Sequence, residues 1–302
     1  MSYSVAMATI SRLCAQSLGV FRGRSAVELG VSRNQLAALC RAGVLTREHN
    51  DTYRMTSVAR SSEQALRAAL LWAGESAAAA GSSAGLVYGL EGLRARTPEI
   101  VVPANLRLRS TGVTVSRGYD WPALMLRTYR SFRVTGVEAT LVALANTLEA
   151  EPFEIACEDA RRRQLTSVRA LNAYLARFPN RAGMKSVRKL LAELDPVHAS
   201  RSTLEVKTRR LLVANGFTDF VREFPLAWNG RTYFYDFCFD RRHTILETNG
   251  KRWHDDPADY EDDNDKWSVP GRHGYRVVFA TWDKVTQRPH ELLGEIATTL
   301  AA

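Results

Sequence analysis

Asp236 and Glu247 stand out first, because each interrupts an aromatic or β-branched run, YFYDFCF in one case and TILETN in the other. The alternation from Thr232 to Phe239 predicts a strand, the polar run Asp240-Arg241-Arg242-His243 a reversal, and Thr244 to Asn249 a second strand beside the first. With side chains alternating along a strand, Asp236 shares a face with Phe234 and Cys238, and Glu247 shares one with Ile245 and Asn249. An ionised carboxylate in such company loses several kcal/mol of solvation unless it is paired or bound to a cation. Two of them from neighbouring strands can together hold a hard divalent ion, which takes oxygen ligands. A third acid, Glu205, lies in the first turn of a helix that opens at Ser202. Ser202 and Glu205 also have the spacing of a capping box, so Glu205 serves either the helix end or the acidic site.

The surrounding residues carry a resemblance. Asp236 with the step Glu247-x-Asn249 resembles the PD-(D/E)xK nuclease fold, and "ILETNGKRWH", "DDNDKW", "HGYRVVFATWDKV" and the final helix from His290 are similar to an uncharacterised bacterial nuclease-domain family related to the very short patch repair (Vsr) endonuclease. The similarity spans the C-terminal third, with the acids, Gly250, Trp253, His254, Asp263, Gly274 and Tyr275 in the family's order. It implies hydrolysis of phosphodiester bonds with Mg2+ or Mn2+. Asp236 and Glu247 would ligate the ion, with the backbone carbonyl of Thr248 as a third oxygen, Glu205 assisting from its helix and Asp263 nearby. Asn249 stands where the fold's pattern has lysine or a second acid, and an amide neither takes a proton from water nor supplies positive charge. Lys251, or Lys207 on the helix, can replace that charge, and His254 is a candidate base because imidazole titrates near neutrality.

Chemistry of a different kind is suggested near the N-terminus. Ala26, Gly30 and Ser32 have the spacing of a helix, a tight turn and a second helix start, and Ser32 with Gln35 forms a capping-box pattern. The second helix then buries Leu36, Leu39 and Cys40 and turns Arg33, Asn34, Ala37, Ala38 and Arg41 outward. Asn pairs with adenine and Arg with guanine or phosphate, which is what a helix in the major groove of DNA requires. The hairpin from Val44 to Met55 completes a winged helix-turn-helix and adds Arg54 to the DNA-facing set. The same pattern also serves protein-interaction modules. Beyond it come helices near 63–74 and 82–89, strands at 99–102 and 113–117, and helices around 136–148, 153–163, 167–178 and 184–194. The order of winged helix, "SSAGLVYGLEGL", "EIVVP", "GVTVSRG" and "VTGVEATLVALANTLE" resembles AbiEi-type antitoxin-like proteins, which implies a DNA-binding module. Arg161, Arg162 and Arg163 read as cations favoured at a helix C-terminus.

These elements fit in 302 residues only as two or three domains, expected at 1–60 (winged helix), 61–196 (mixed α/β) and 197–302 (an α/β/α nuclease domain). The fold class is multidomain α/β. A hydrophobic share of 45% with 24% charged residues excludes a disordered tail protein and a membrane-embedded bundle. The formal charge of +9 favours an anionic polymer, and residues 1–60 hold eight basic against three acidic side chains. Cys14, Cys40, Cys157 and Cys238 have no metal-ligand spacing and read as reduced core thiols. With no charged leader and apolar run at the start, cytoplasmic, nucleoid-associated residence is expected. The expected partner is duplex DNA, with a protein partner for the interaction-module reading and no membrane. No aromatic RNA-binding signature is present. Two functions remain: a metal-dependent DNA endonuclease, or a DNA-binding regulator whose nuclease domain is inactive.

Overall fold

A computed structural model describes residues 2–15, 17–94, 97–194, 200, 202–249 and 266–302. Lys251, His254 and Asp263 lie outside the described residues. The chain divides into two compact units, Met1–Pro196 and Val197–Ala302.

The first unit opens with α1 (Tyr3–Cys14), β1 (Val20–Arg22), α2 (Gly23–Glu28), α3 (Arg33–Arg41), β2 (Leu45–His49) and β3 (Thr52–Met55). Ala6, Ile10 and Cys14 recur every four residues and form the inner stripe of α1. At Gly30 the backbone takes φ 93°, a left-handed turn that glycine adopts without strain. The α3 start is capped in both directions: Ser32 Oγ accepts from the Gln35 amide at 3.2 Å and Gln35 Oε1 accepts from the Ser32 amide at 2.8 Å. Leu36 and Leu39 then pack with Ile10, Ala26, Val31 and Leu45 in a small core. The strands form an antiparallel sheet in the order β1-β3-β2. Its third member, the three-residue β1, is too short to show a periodicity in sequence.

The rest of this unit holds α4 (Ser62–Ala73), β4 (Ala78–Ala79), α5 (Gly81–Tyr88), β5 (Glu99–Pro103), β6 (Thr114–Gly118), β7 (Arg127–Tyr129) and β8 (Phe132–Val134). Helices α6 (Val137–Leu144), α7 (Ala150–Arg162), α8 (Val168–Arg177) and α9 (Met184–Glu193) follow. The sheet order is β6-β5-β4-β8-β7. α6 is apolar nearly all round and almost wholly buried, the pattern of a helix at the centre of a bundle. The three arginines at the end of α7 do more than oppose the helix dipole. Arg161 meets Glu158 at 2.9 Å, Arg162 meets Glu91 at 3.0 Å, and Arg163 bonds Asp159 at 3.2 Å and the carbonyls of Tyr88 and Gly89.

The second unit contains α10 (Thr203–Ala214), β9 (Val221–Trp228), β10 (Arg231–Phe239), β11 (Thr244–Asn249), a helix described over residues 266–272 (α11), β12 (Arg276–Thr281), α12 (Trp282–Thr286) and α13 (Pro289–Ala301). The sheet runs β12-β11-β10-β9, with β12 parallel to β11 and the other pairs antiparallel. On one face Phe237, Phe239 and Leu246 pack against Leu204 and Leu212 of α10 and Leu292 and Ile296 of α13. On the other, Tyr235, Cys238 and Ile245 pack against Val269 of α11. Helices therefore cover both faces of this sheet.

Tyr235 and Cys238 share a cluster although they are three positions apart, an odd step, so the strict alternation expected for β10 slips at Asp236. The expected company of Asp236 with Phe234 and Cys238 is corrected accordingly. Phe220, just before the neighbouring strand β9, and Phe224 within it likewise pack in different clusters, on opposite faces. Between them Glu223 takes φ 50°, a left-handed conformation that costs a non-glycine residue about 1–2 kcal/mol. The four cysteines are free thiols, three of them buried. Burial pushes Cys14 up to about 11 and Cys238 up to about 12. Among the described residues no helix is long and apolar enough to cross a membrane.

Candidate functional site

The slip in β9 and β10 brings acids together. The register pairs Tyr235 with Phe224 and Phe237 with Arg222, which leaves Asp236 opposite Glu223. Like charges placed directly across a sheet repel, so the pair needs compensation. The α10 helix packs over this face and delivers Glu205, which is 1% exposed. One carboxylate oxygen each from Glu205, Glu223 and Asp236 lies within 4.8 Å of the other two. An ion with oxygen ligands at about 2.0–2.6 Å holds its donors at separations of that order, so the donor set fits a hard divalent cation. Thr208, one turn along α10 from Glu205, has a fully buried hydroxyl with no hydrogen-bond partner among the described residues.

Ser202 caps α10 by accepting from the Glu205 amide at 3.1 Å, while the Glu205 carboxylate engages Arg222 Nη2 at 2.8 Å. Arg222 also donates to Ser200 Oγ at 2.8 Å, and of the ion pair Glu205 is buried and Arg222 partly so. Arg222 thus fixes the orientation of Glu205 and offsets part of the negative charge.

Asp236 and Glu247 also meet, at the place where two strands part. The β10–β11 register runs from Phe239↔Thr244 to Phe237↔Leu246, and side chains take over beyond it. Glu247 Oε2 accepts from the Asp236 amide at 3.0 Å, and Asp236 Oδ2 accepts from the Thr248 amide at 2.8 Å and from the Thr248 hydroxyl. Glu247 Oε1 is held by Lys266 Nζ. Burial, with Asp236 adding to it and Lys266 opposing it, pushes the Glu247 carboxyl up to about 7. The Lys266 ammonium lies 5.4 Å from the Tyr235 ring and 5.3 Å from that of Trp267, and its backbone carbonyl accepts from Tyr235 Oη at 2.6 Å.

Asp236, Glu247 and Thr248, expected to share one ion, are linked to one another by hydrogen bonds. Asp236 is grouped with Glu205 and Glu223, Glu247 is tied to Lys266, and Thr248 is a double donor to Asp236. Asn249 is exposed at the end of β11, and Lys207 sits 6.0 Å from the Trp282 ring. Sequence reasoning missed Glu223, Arg222 and Lys266. A positive charge, that of Lys266, stands beside Glu247.

On the first unit, Arg33, Asn34, Ala37 and Arg41 lie exposed along one side of α3 while Leu36 and Leu39 face the core. Arg54 is a correction. It is 7% exposed, bonded to Glu48 at 2.8 Å and to the carbonyls of Met55 and Val58 at 3.1 Å, because it alternates inward on β3 and braces the hairpin.

A buried carboxylate cluster in a multidomain α/β chain is the class of protein these observations define. No protein-family model matches the chain, and no curated protein matches it. Among solved structures it is similar to the RV2827C protein from Mycobacterium tuberculosis, with 17% identity over 75% of this chain and 89% of that one and a TM-score of 0.46. It is also similar to the catalytic domain of the homing endonuclease I-Bth0305I, with 18% identity over 33% of this chain and 95% of that one and a TM-score of 0.27.

Proposed function

We propose that this chain is a metal-dependent DNA endonuclease, with a PD-(D/E)xK domain of the Vsr-related kind in residues 197–302 and an N-terminal winged helix in residues 1–60 that binds duplex DNA, followed by an AbiEi-like middle domain in 61–196. The observation that carries this reading is the convergence of Glu205, Glu223 and Asp236 from a helix and two strands. These three carboxylates would hold Mg2+ or Mn2+, with Arg222 orienting Glu205. A bound divalent ion polarises a phosphate and acidifies water. Glu247, buried beside Asp236, would accept a proton from an attacking water, and Lys266 Nζ beside it would supply positive charge to a developing phosphorane. On the first unit, Arg33, Asn34 and Arg41 would meet base edges and phosphates from α3, with Ala37 free to approach a thymine methyl. Tethering to DNA raises the local substrate concentration for the second unit. The residence that goes with this reading is cytoplasmic, on the nucleoid.

The test pairs divalent-ion titration calorimetry with cleavage of duplex, single-stranded, branched and mismatched DNA in Mg2+ and Mn2+. Asp236→Asn and Glu205→Gln are each expected to weaken ion binding at least tenfold and to abolish cleavage. A wild-type chain that neither binds the ion nor cuts any substrate sinks the reading.

A second reading is favoured by one feature of the site: Arg222 and Lys266 already neutralise two of its acids. On that reading the chain is a DNA-binding regulator with a silent nuclease domain. It retards a promoter fragment without cutting it, and Arg33→Ala or Arg41→Ala weakens the complex.

A further inference from the structure

We infer that the exposed side of α9, together with that of α8, is a second docking surface for the phosphate backbone of duplex DNA. Residues 164–194 carry Arg169, Arg177, Arg181, Lys185, Arg188 and Lys189 against the single acid Glu193, so six minus one gives +5 of the chain's +9. On α9 the buried stripe is Met184, Val187, Leu190 and Leu191, and Lys185, Arg188 and Lys189 stand exposed on the other side at i, i+3 and i+4. Like charges at that spacing destabilise a helix by a few tenths of a kcal/mol per pair.

Elsewhere the chain relieves such crowding with acids. Arg161, Arg162 and Arg163 have Glu158, Glu91 and Asp159, while Lys284 and Arg288 have Glu295, Asp283 and Glu291. Among the described residues, Arg169, Arg177, Lys185, Arg188 and Lys189 form no salt bridge. The ridge is also rigidly seated. Gly183 starts α9 at φ 90°, and a Cβ there would come within 2.1 Å of the Val142 carbonyl oxygen, so the helix begins pressed against α6. A fixed, unneutralised cationic ridge suits a polyanion of regular charge spacing, whose condensed counterions are released on contact. An anionic membrane is the poorer fit, because the other exposed positions of α9, Ser186, Ala192 and Glu193, offer no aromatic or large apolar group to insert.

This surface rests on the nucleic-acid part of the proposed function but on neither α3 nor the carboxylate cluster. The experiment is fluorescence anisotropy of the full chain with a labelled random-sequence duplex, in EDTA so that no cleavage occurs, from about 50 to about 200 mM KCl. Lys185→Gln/Arg188→Gln/Lys189→Gln is expected to bind at least tenfold more weakly at the lowest salt. Its plot of log K against log salt should be shallower by about 2 to 3, near 0.9 per lost phosphate contact. The double variant Lys185→Gln/Lys189→Gln, whose slope should drop by about 2, replaces the triple variant if its circular-dichroism melt shows misfolding. Lys284→Gln/Arg288→Gln is expected to keep the wild-type slope. Wild-type binding with an unchanged slope in the α9 variants overturns this surface and leaves the endonuclease reading standing. A wild-type chain that binds phosphatidylserine vesicles but no duplex overturns both.

Discussion

At Glu223 a conformational cost and a chemical role fall on one residue. A non-glycine side chain at φ 50° in a strand is strained, and it faces Asp236 across the sheet. Glu223→Gly is therefore expected to hold or raise the melting temperature while weakening divalent-ion binding at least tenfold, as read by calorimetry; a residue with only a structural role would show no such split. Glu247 gives a pH signature in the metal-free chain. Its carboxyl sits at about 7 when folded against 4.5 as the ordinary value, so the folded state binds the proton more tightly. The contribution to stability is full below about 4.5, declines by up to roughly 1.4 kcal/mol per unit as pH rises toward 7, and is level above. Urea unfolding across that range should show the decline, and Glu247→Gln should remove it. Asp236 and Glu247 were legible in sequence because a charge within an aromatic strand is conspicuous. Glu223 was not, since its partners depend on a left-handed backbone and a cross-strand register that no local pattern encodes. Lys266 was hidden behind the acids of "DDNDKW", where nothing local marks it as the partner of Glu247.

Individual elements followed local rules more closely. Ser32 with Gln35 announced the start of α3, and the structure shows both hydrogen bonds of the box. Ser32→Ala should lower stability by about 1 kcal/mol, measured by urea denaturation, with Ser32→Gly costing only a few tenths. The apolar periods of α4, α8, α9 and α10 were readable for the same reason, since each buries one stripe against a core, and α6 was readable as a nearly continuous apolar run. The short strands β1, β4, β7 and β8 were not, because two or three residues cannot display alternation and exist only through their sheet partners. Arg54 shows the limit from the other side. A basic residue on a hairpin reads as surface, yet strand parity turned it inward onto Glu48.

At the scale of the whole chain, each compact unit buries its own core. Leu141 and Leu144 belong to that of Met1–Pro196, and Leu212 and Leu246 to that of Val197–Ala302. Removing a buried leucine side chain costs about 2–5 kcal/mol through lost transfer energy and the cavity left behind. Leu212→Ala should therefore shift one urea transition and leave the other in place, and Leu141→Ala should do the converse. Tryptophan fluorescence can follow both, with Trp72 and Trp121 in the first unit and Trp228, Trp253, Trp267 and Trp282 in the second. A single transition displaced equally by both substitutions would show that the units fold as one.

Where β10 and β11 part, two backbone N–H groups have traded carbonyl acceptors for acid side chains: that of Asp236 on Glu247, and that of Thr248 on Asp236. Deuterium uptake at these amides is thereby coupled to the ionic state of the site, whereas uptake at Phe237 and Cys238, within the regular ladder, reports only on the sheet. The fold thus carries its own spectroscopic gauge, and whatever draws those oxygens away will first be seen as two amides losing their protection.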